Sequence, residues 1–294
     1  MKLNQLAYFV AVYQNRTITK AAEVLHISQP SITTSIKELE SEFNINLFQR
    51  INRQMVLTPE GELFYKRACQ ILKEVELLQE DIADLNQSRN HIKMGLPLQM
   101  GAFFLPALMR DFKERYPLIQ LEIVECGAKD IVHMILEEKI DLAIASINTD
   151  NPKLKYIHLF DTEICLCVEK EHPFSGRDFI SLEEACSIPL SMLPKGFYTP
   201  DSVLAACNRL HLAPDIRLYS SQLHTIKNLI INAGFGSFLL REAVVLDQDI
   251  VSIPINPSIQ ATICMITKKG RRIYNDSRTL IEFVMEKYRT QKKR

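Results

Sequence analysis

The chain has 294 residues, more than one ordinary hydrophobic core accommodates, so two or three domains are expected. Hydrophobic residues make up 47% and charged residues 24%, a soluble globular composition that excludes a disordered chain. Net charge is zero and residues 1–60 carry six Lys/Arg against five acids, so any contact with nucleic acid depends on where single cations sit, not on bulk charge.

The opening MKLNQLAYFVAVYQNRT is amphipathic and lacks the apolar centre of a signal peptide. No run of about 18 apolar residues follows anywhere, so neither secretion nor membrane insertion is expected. Seven cysteines without pairing rhythm suit a reducing cytoplasm. Leu6, Phe9, Val10 and Tyr13 fall at helical spacing over residues 3–14. Thr17, Ile18 and Thr19 offer caps for a short helix through Ala21, Ala22 and Leu25, with a turn at His26 and Ile27. Ser28 is an expected N-cap, with Gln29 and Pro30 in the first turn of a third helix. Ile32, Ile36, Leu39 and Phe43 make its apolar stripe, and Pro30, Thr33, Thr34 and Lys37 its polar one. Small polar residues beside a cation suit the floor of a DNA major groove, while a plain three-helix bundle with a solvated face would look the same. Two short strands, 47–50 and 55–58, then flank Ile51–Gln54 and predict a wing with Arg50 at its base and Arg53 at its tip, suited to phosphates. Residues 1–58 thus read as a winged helix-turn-helix, its motif at about 18–37.

The run from Ala21 to Glu40 (AAEVLHISQPSITTSIKELE), then LFQR at 47–50 and LTPEG at 57–61, resembles the LysR-type transcriptional regulators. The resemblance implies operator contacts from Gln29, Pro30, Thr33 and Thr34. Many relatives carry Arg where Thr34 stands, which shifts the expected load to Gln29, Lys37, Arg50 and Arg53.

Thr58-Pro59-Glu60 has the order of a helix start: cap, proline, carboxylate at the positive end. Phe64, Ala68, Ile71, Val75, Leu78, Ile82 and Leu85 then alternate by four and three, a coiled-coil seam within a linker of residues 59–90. An intrachain amphipathic helix shows the same pattern, but a dimer is what a palindromic operator requires. The polar break at residues 86–90 reads as a hinge.

From His91 strands and helices alternate, which predicts a parallel α/β sheet. Strands are expected at 92–96, 121–126, 141–145, 164–168, 188–191, 216–219, 236–240 and 261–267, and helices at 103–116, 129–139, 199–210, 222–232 and 275–288. By resemblance, residues 91–294 form a two-lobed, periplasmic-binding-protein-like effector domain, lobe I comprising 91–161 and 267–294 and lobe II 162–266. Ligands of such sheets bind beyond the carboxyl ends of strands. The corresponding turns make Gln99, Met100, Ala128, Lys129, Ser146, Phe197, Tyr198, Thr199 and His224 the candidate effector residues. Gln99 and Ser146 suit helix caps equally well, and His224 and His133 suit surface or core roles. Lys129 and Lys195 offer charge for a small organic anion. Cys165 and Cys167 lie on one predicted strand, expected on opposite faces and sharing no metal, and Cys186 with Cys207 is a candidate redox pair without cationic sequence neighbours to activate it.

No G-x-S-x-G, Walker A, G-x-G-x-x-G or H-E-x-x-H run occurs, so no enzyme is expected, nor any cofactor or metal. The expectation is a cytoplasmic regulator that binds double-stranded operator DNA and a small effector. It forms a homodimer through the linker helix and a homotetramer by resemblance, with RNA polymerase as a further partner and no membrane. An effector-independent repressor and a small-molecule-binding protein without a DNA role are the alternatives.

Overall fold

The structure is a computed structural model that describes residues 1–52, 54–86, 89–146 and 150–291. The chain divides into two compact units, Met1–Arg89 and Asn90–Arg294.

In the first unit α1 (Leu3–Asn15), α2 (Ile18–Leu25) and α3 (Gln29–Phe43) precede β1 (Phe48–Ile51), β2 (Gln54–Leu57) and α4 (Pro59–Leu85). The helices stop where the chain turns left-handed, at Arg16, His26 and Asn44, each bonding its N–H back to helix carbonyls. Val12, Ala21, Ala22, Ile32 and Ile36 form one apolar cluster. Leu6, Phe9, Leu39, Leu47 and Ala68 form a second. Phe9 joins α1, the wing and α4, its ring lying 5.0 Å from Phe48 and 5.1 Å from Phe64. β1 and β2 pair antiparallel from Phe48–Leu57 to Ile51–Gln54.

The linker helix therefore differs from a uniform seam. Phe64 and Ala68 pack inside the head, whereas Ile71, Leu78, Ile82 and Leu85 stay 40–61% exposed. At 27 residues the helix is about 40 Å long.

The second unit runs β3 (His91–Leu96), α5 (Leu98–Arg115), β4 (Gln120–Glu125), α6 (Ala128–Leu136), β5 (Leu142–Ala145), β6 (Leu154–Glu169), β7 (Ile180–Ser181), α7 (Leu182–Cys186), β8 (Leu190–Met192), α8 (Tyr198–Arg209), β9 (Ile216–Tyr219), α9 (Leu223–Ala233), β10 (Ser237–Leu240), β11 (Ile250–Lys268) and α10 (Asn275–Gln291). Among the described residues a seven-stranded sheet has the order β10-β6-β11-β5-β3-β4, with β7 paired to β11. β3, β4 and β5 are parallel, but β11 runs antiparallel to its neighbours β5 and β6, and β10 runs antiparallel to β6. The sheet is mixed rather than parallel, because β11 inserts between β5 and β6 and runs against both. The short strands expected at 164–168 and 261–267 are segments of β6 and β11, of 16 and 19 residues, which run unbroken through positions 161 and 266. Cys165 and Cys167, two residues apart on β6, share a face rather than opposing each other.

Met100, Phe104, Leu108 and Phe112 recur every four residues along α5 and press it onto the sheet. This sets the α5 N-terminus at the carboxyl end of β3. The α6 and α8 N-termini follow β4 and β8 in the same way.

Candidate functional site

Ser28 caps α3, its Oγ accepting from Ser31 N at 3.4 Å, and Pro30 sits in the first turn, where no N–H is needed. With Ile32, Ile36 and Leu39 buried, the opposite face carries Gln29, Pro30, Thr34 and Lys37 to solvent, with Thr33 half-buried. Gln29, Thr33 and Lys37 line a groove of about 480 Å³ with Arg50 of β1, bordered by Thr17 and Thr19 of the turn into α2 and by Gln49. Pro30 and Thr34 are exposed but do not line it. The Thr33 hydroxyl donates to Gln29 O at 3.0 Å. Arg53 lies outside the described residues.

Sequence reasoning gave Glu40 no role of its own. Its Oε1 accepts from Leu47 N at 2.8 Å and Phe48 N at 3.3 Å, fastening the start of β1 to the last turns of α3. On the other side Met55 N donates to Arg16 O at 2.9 Å. The wing is thus held to the helices at both strands. No local signal reveals these bonds, since Glu40 reads as an ordinary solvated helix residue.

In the second unit six of the candidate effector residues come together. Gln99, Met100, Ser146, Phe197, Tyr198 and Thr199 line one cavity with Pro97, Leu193, Leu240 and Ile263. The cavity leaves about 20 Å³ for a water-sized occupant, space for about one water. Gln99 is bonded within the wall: its Oε1 accepts from Leu240 N at 2.7 Å and its Nε2 donates to Thr199 Oγ1 at 2.9 Å. Tyr198 Oη donates to Gln260 O at 3.1 Å.

Ala128, Lys129 and His224 do not line this cavity. Lys129 is exposed and pairs with Asp201 at 3.6 Å, while His224 is exposed on α9 with its Nε2 2.9 Å from Asn228 Nδ2. Lys195 is likewise exposed and outside the wall. Nearby, Gly127 passes so close to Gly196 that a Cβ on it would lie 3.0 Å from the Gly196 carbonyl oxygen. Ile147, Asn148 and Thr149, part of the expected cleft turn, lie outside the described residues.

Cys186 and Cys207 have their sulfurs 3.5 Å apart in the core. The hydrogen bond to Cys207 and burial push the Cys186 thiol up, and burial raises Cys165 to about 11. Among the described residues no cluster of three or more His, Cys, Asp or Glu could hold a metal ion, and no helix is long and apolar enough to cross a membrane.

A winged helix-turn-helix head joined by a long helix to an α/β ligand-binding unit defines a ligand-responsive, DNA-binding transcriptional regulator. The model of bacterial regulatory helix-turn-helix proteins of the LysR family matches residues 3–62, and that of the LysR substrate binding domain matches residues 85–289. The chain belongs to the LysR family, a family of transcriptional regulators rather than enzymes. It is 28% identical to the transcriptional dual regulator GltC of Bacillus subtilis over 292 residues, 97% of each chain. It is 24% identical to the dual regulator OxyR of Escherichia coli K12 over 290 residues, 97% of this chain and 95% of that one. The fold is similar to full-length CbnR in complex with its target DNA, with TM-score 0.72, 19% identity and 99% coverage of both chains. It is also similar to the regulatory domain of CcmR from Synechocystis PCC6803 in complex with 2-PG, with TM-score 0.62 and 19% identity over 67% of this chain and 97% of that one.

Proposed function

We propose that the chain reads a two-fold-symmetric operator in the bacterial cytoplasm and changes its hold on that operator when a small molecule occupies the Gln99 cavity. The observation that carries the reading is the groove shared by the exposed face of α3 and the base of the wing, where Gln29, Thr33, Lys37 and Arg50 converge. Gln29 offers an amide for a base edge, flanked by Pro30 and Thr34, while Lys37, Arg50 and Arg53 offer charge for phosphates. CbnR in complex with its target DNA, and the CcmR regulatory domain in complex with 2-PG, support the assignment of the two units.

The exposed half of the α4 stripe supports a dimer formed through the linker helix, and pairing of effector domains would complete a tetramer. Access of RNA polymerase to the promoter would then be the output. The effector contacts proposed are Gln99, Met100, Ser146, Phe197, Tyr198 and Thr199. The anion suggested by Lys129 and Lys195 loses support, because Lys129 is paired with Asp201 and neither lysine faces the cavity.

Competition of operator variants against the upstream region of the gene tests this reading. Gln29→Ala should cost about 1–3 kcal/mol and relax discrimination at one base pair per half-site. An unchanged ranking of sequences would overturn the assignment of α3.

A further inference from the structure

We propose that the Gln99 carboxamide is a built-in occupant of the effector position, and that the molecule replacing it is small, uncharged and carries an amide-like pair of adjacent donor and acceptor. The inference rests on the reading of the Gln99 cavity as the effector site and adds the chemistry of its ligand.

Gln99 is 4% exposed, and its two partners, Leu240 and Thr199, are 4% and 3% exposed. A buried backbone N–H and a buried hydroxyl are therefore satisfied by one side chain, which reaches across 141 and 100 residues of sequence to them. Withdrawing that side chain takes away the partner that each of these buried groups has in it, which is costly unless something equivalent takes its place. An incoming carboxamide, urea or lactam offers the same acceptor to Leu240 N and the same donor to Thr199 Oγ1. With space for about one water left beside Gln99, a larger molecule that takes up Leu240 N and Thr199 Oγ1 takes the place of its carboxamide.

The wall argues for a neutral ligand. Pro97, Met100, Leu193, Phe197 and Ile263 are apolar, and none of the described lining residues carries a charge. The lysine on the neighbouring turn is 80% exposed and already paired with Asp201. The positive end of α5 is approached by a carboxylate of the protein itself, since a Cβ on Gly101 would lie 2.5 Å from Glu125 Oε1. A carboxylate entering this site would lose its hydration with no cation to receive it, and the helix-end dipoles offset only part of that loss. An amide loses only hydrogen bonds that Leu240 and Thr199 return.

Gln99 also ties α5 to α8 and β10, so a ligand that binds tightly enough to displace it exchanges an intramolecular tie for one made through the ligand. An effector with different affinity for the tied and untied arrangements would shift their populations, which is the free energy a regulator needs.

The test uses the full-length protein. Gln99→Ala removes atoms equivalent to acetamide, so acetamide and acetate are the matched neutral and anionic probes. Gln99→Ala should lower the melting temperature, and acetamide should raise it again in the variant and by much less in wild type, where it must first displace Gln99. Acetate should bind the variant at least about tenfold more weakly, one factor of ten being the smallest difference that marks a preference. Preference for acetate overturns the neutral class while leaving the cavity as a ligand site. Stabilisation by neither probe overturns the cavity reading itself. A mobility shift on the operator, run on the same samples, reports the DNA-binding head separately.

Should Gln99→Ala fail to fold, Gln99→Glu provides the second readout. The substituted carboxyl should be held above its ordinary range, so its stability relative to wild type is present at about pH 4 and falls as pH rises to about 8. A difference from wild type that does not change with pH overturns the proposal.

Discussion

Glu40→Ala is the perturbation most informative about the DNA-binding head. The carboxylate accepts from Leu47 N at 2.8 Å and Phe48 N at 3.3 Å, and these bonds hold β1 against α3. A hydrogen bond to a charged group contributes about 1.5–3 kcal/mol, and the longer of the two sits at the low end. Glu40 is half-buried, so water recovers part of what alanine removes, leaving a net loss of about 2–3 kcal/mol. For a unit of this size that corresponds to a fall of about 10–20 °C in its melting transition, followed by calorimetry. Glu40→Gln keeps an acceptor at the same place and should lose less than half as much. Operator affinity should fall with Glu40→Ala even where the head is still folded, because Arg50 sits on the strand that has been released. Losing the phosphate contact proposed for Arg50 should also reduce the salt slope by about one. If Glu40→Ala melts with wild type and binds operator with an unchanged salt slope, the wing is not held this way.

The exposed half of the α4 stripe predicts that Leu78→Asp with Ile82→Asp leaves both units folded and yields smaller species by light scattering; a wild-type chain already monomeric at micromolar concentration would refute the seam. The Arg177 guanidinium, with the Ser181 backbone and hydroxyl, holds the Glu184 carboxyl down at about 2. Its stabilising effect is therefore present above the ordinary carboxylate pKa of about 4.3 and lost as pH falls toward about 2, so Glu184→Gln should differ most from wild type above about pH 5 and least in strong acid. Burial lifts the Cys165 thiol to about 11, so a thiol reagent at about pH 8 should label Cys165 only after unfolding, as mass spectrometry of native and denatured samples will show.

Elements whose cause is local were legible in the sequence. Ser28 before Gln29-Pro30, and Thr58 before Pro59-Glu60, mark the starts of α3 and α4 because capping needs only the next three residues. Apolar spacing located α1 and α3 for the same reason, since a helix face repeats within a turn. The strand-to-helix junctions bearing Gln99, Ser146 and Phe197–Thr199 could be named because ligand sites of α/β sheets follow the carboxyl ends of strands, although α5 starts at Leu98 rather than at 103 and so holds Gln99 in its first turn.

What the tertiary structure alone decided was pairing between distant residues. Periodicity marked only the most apolar stretches of β6 and β11; their 16- and 19-residue lengths come from each other, through a ladder that joins Ile250 to Glu169 and Lys268 to Leu154. The α4 repeat was visible, but not that Phe64 and Ala68 are claimed by the head while Leu78 and Ile82 remain free of it. Lys129 was a candidate for an anion, and only the fold shows Asp201, 72 positions on, 3.6 Å from its Nζ. Gln99 was equally suited to a cap and to a ligand, and its real partners lie 100 and 141 residues away. A sequence displays the periods that a few consecutive residues impose, whereas the satisfaction of a buried polar group depends on which distant segment the fold brings beside it.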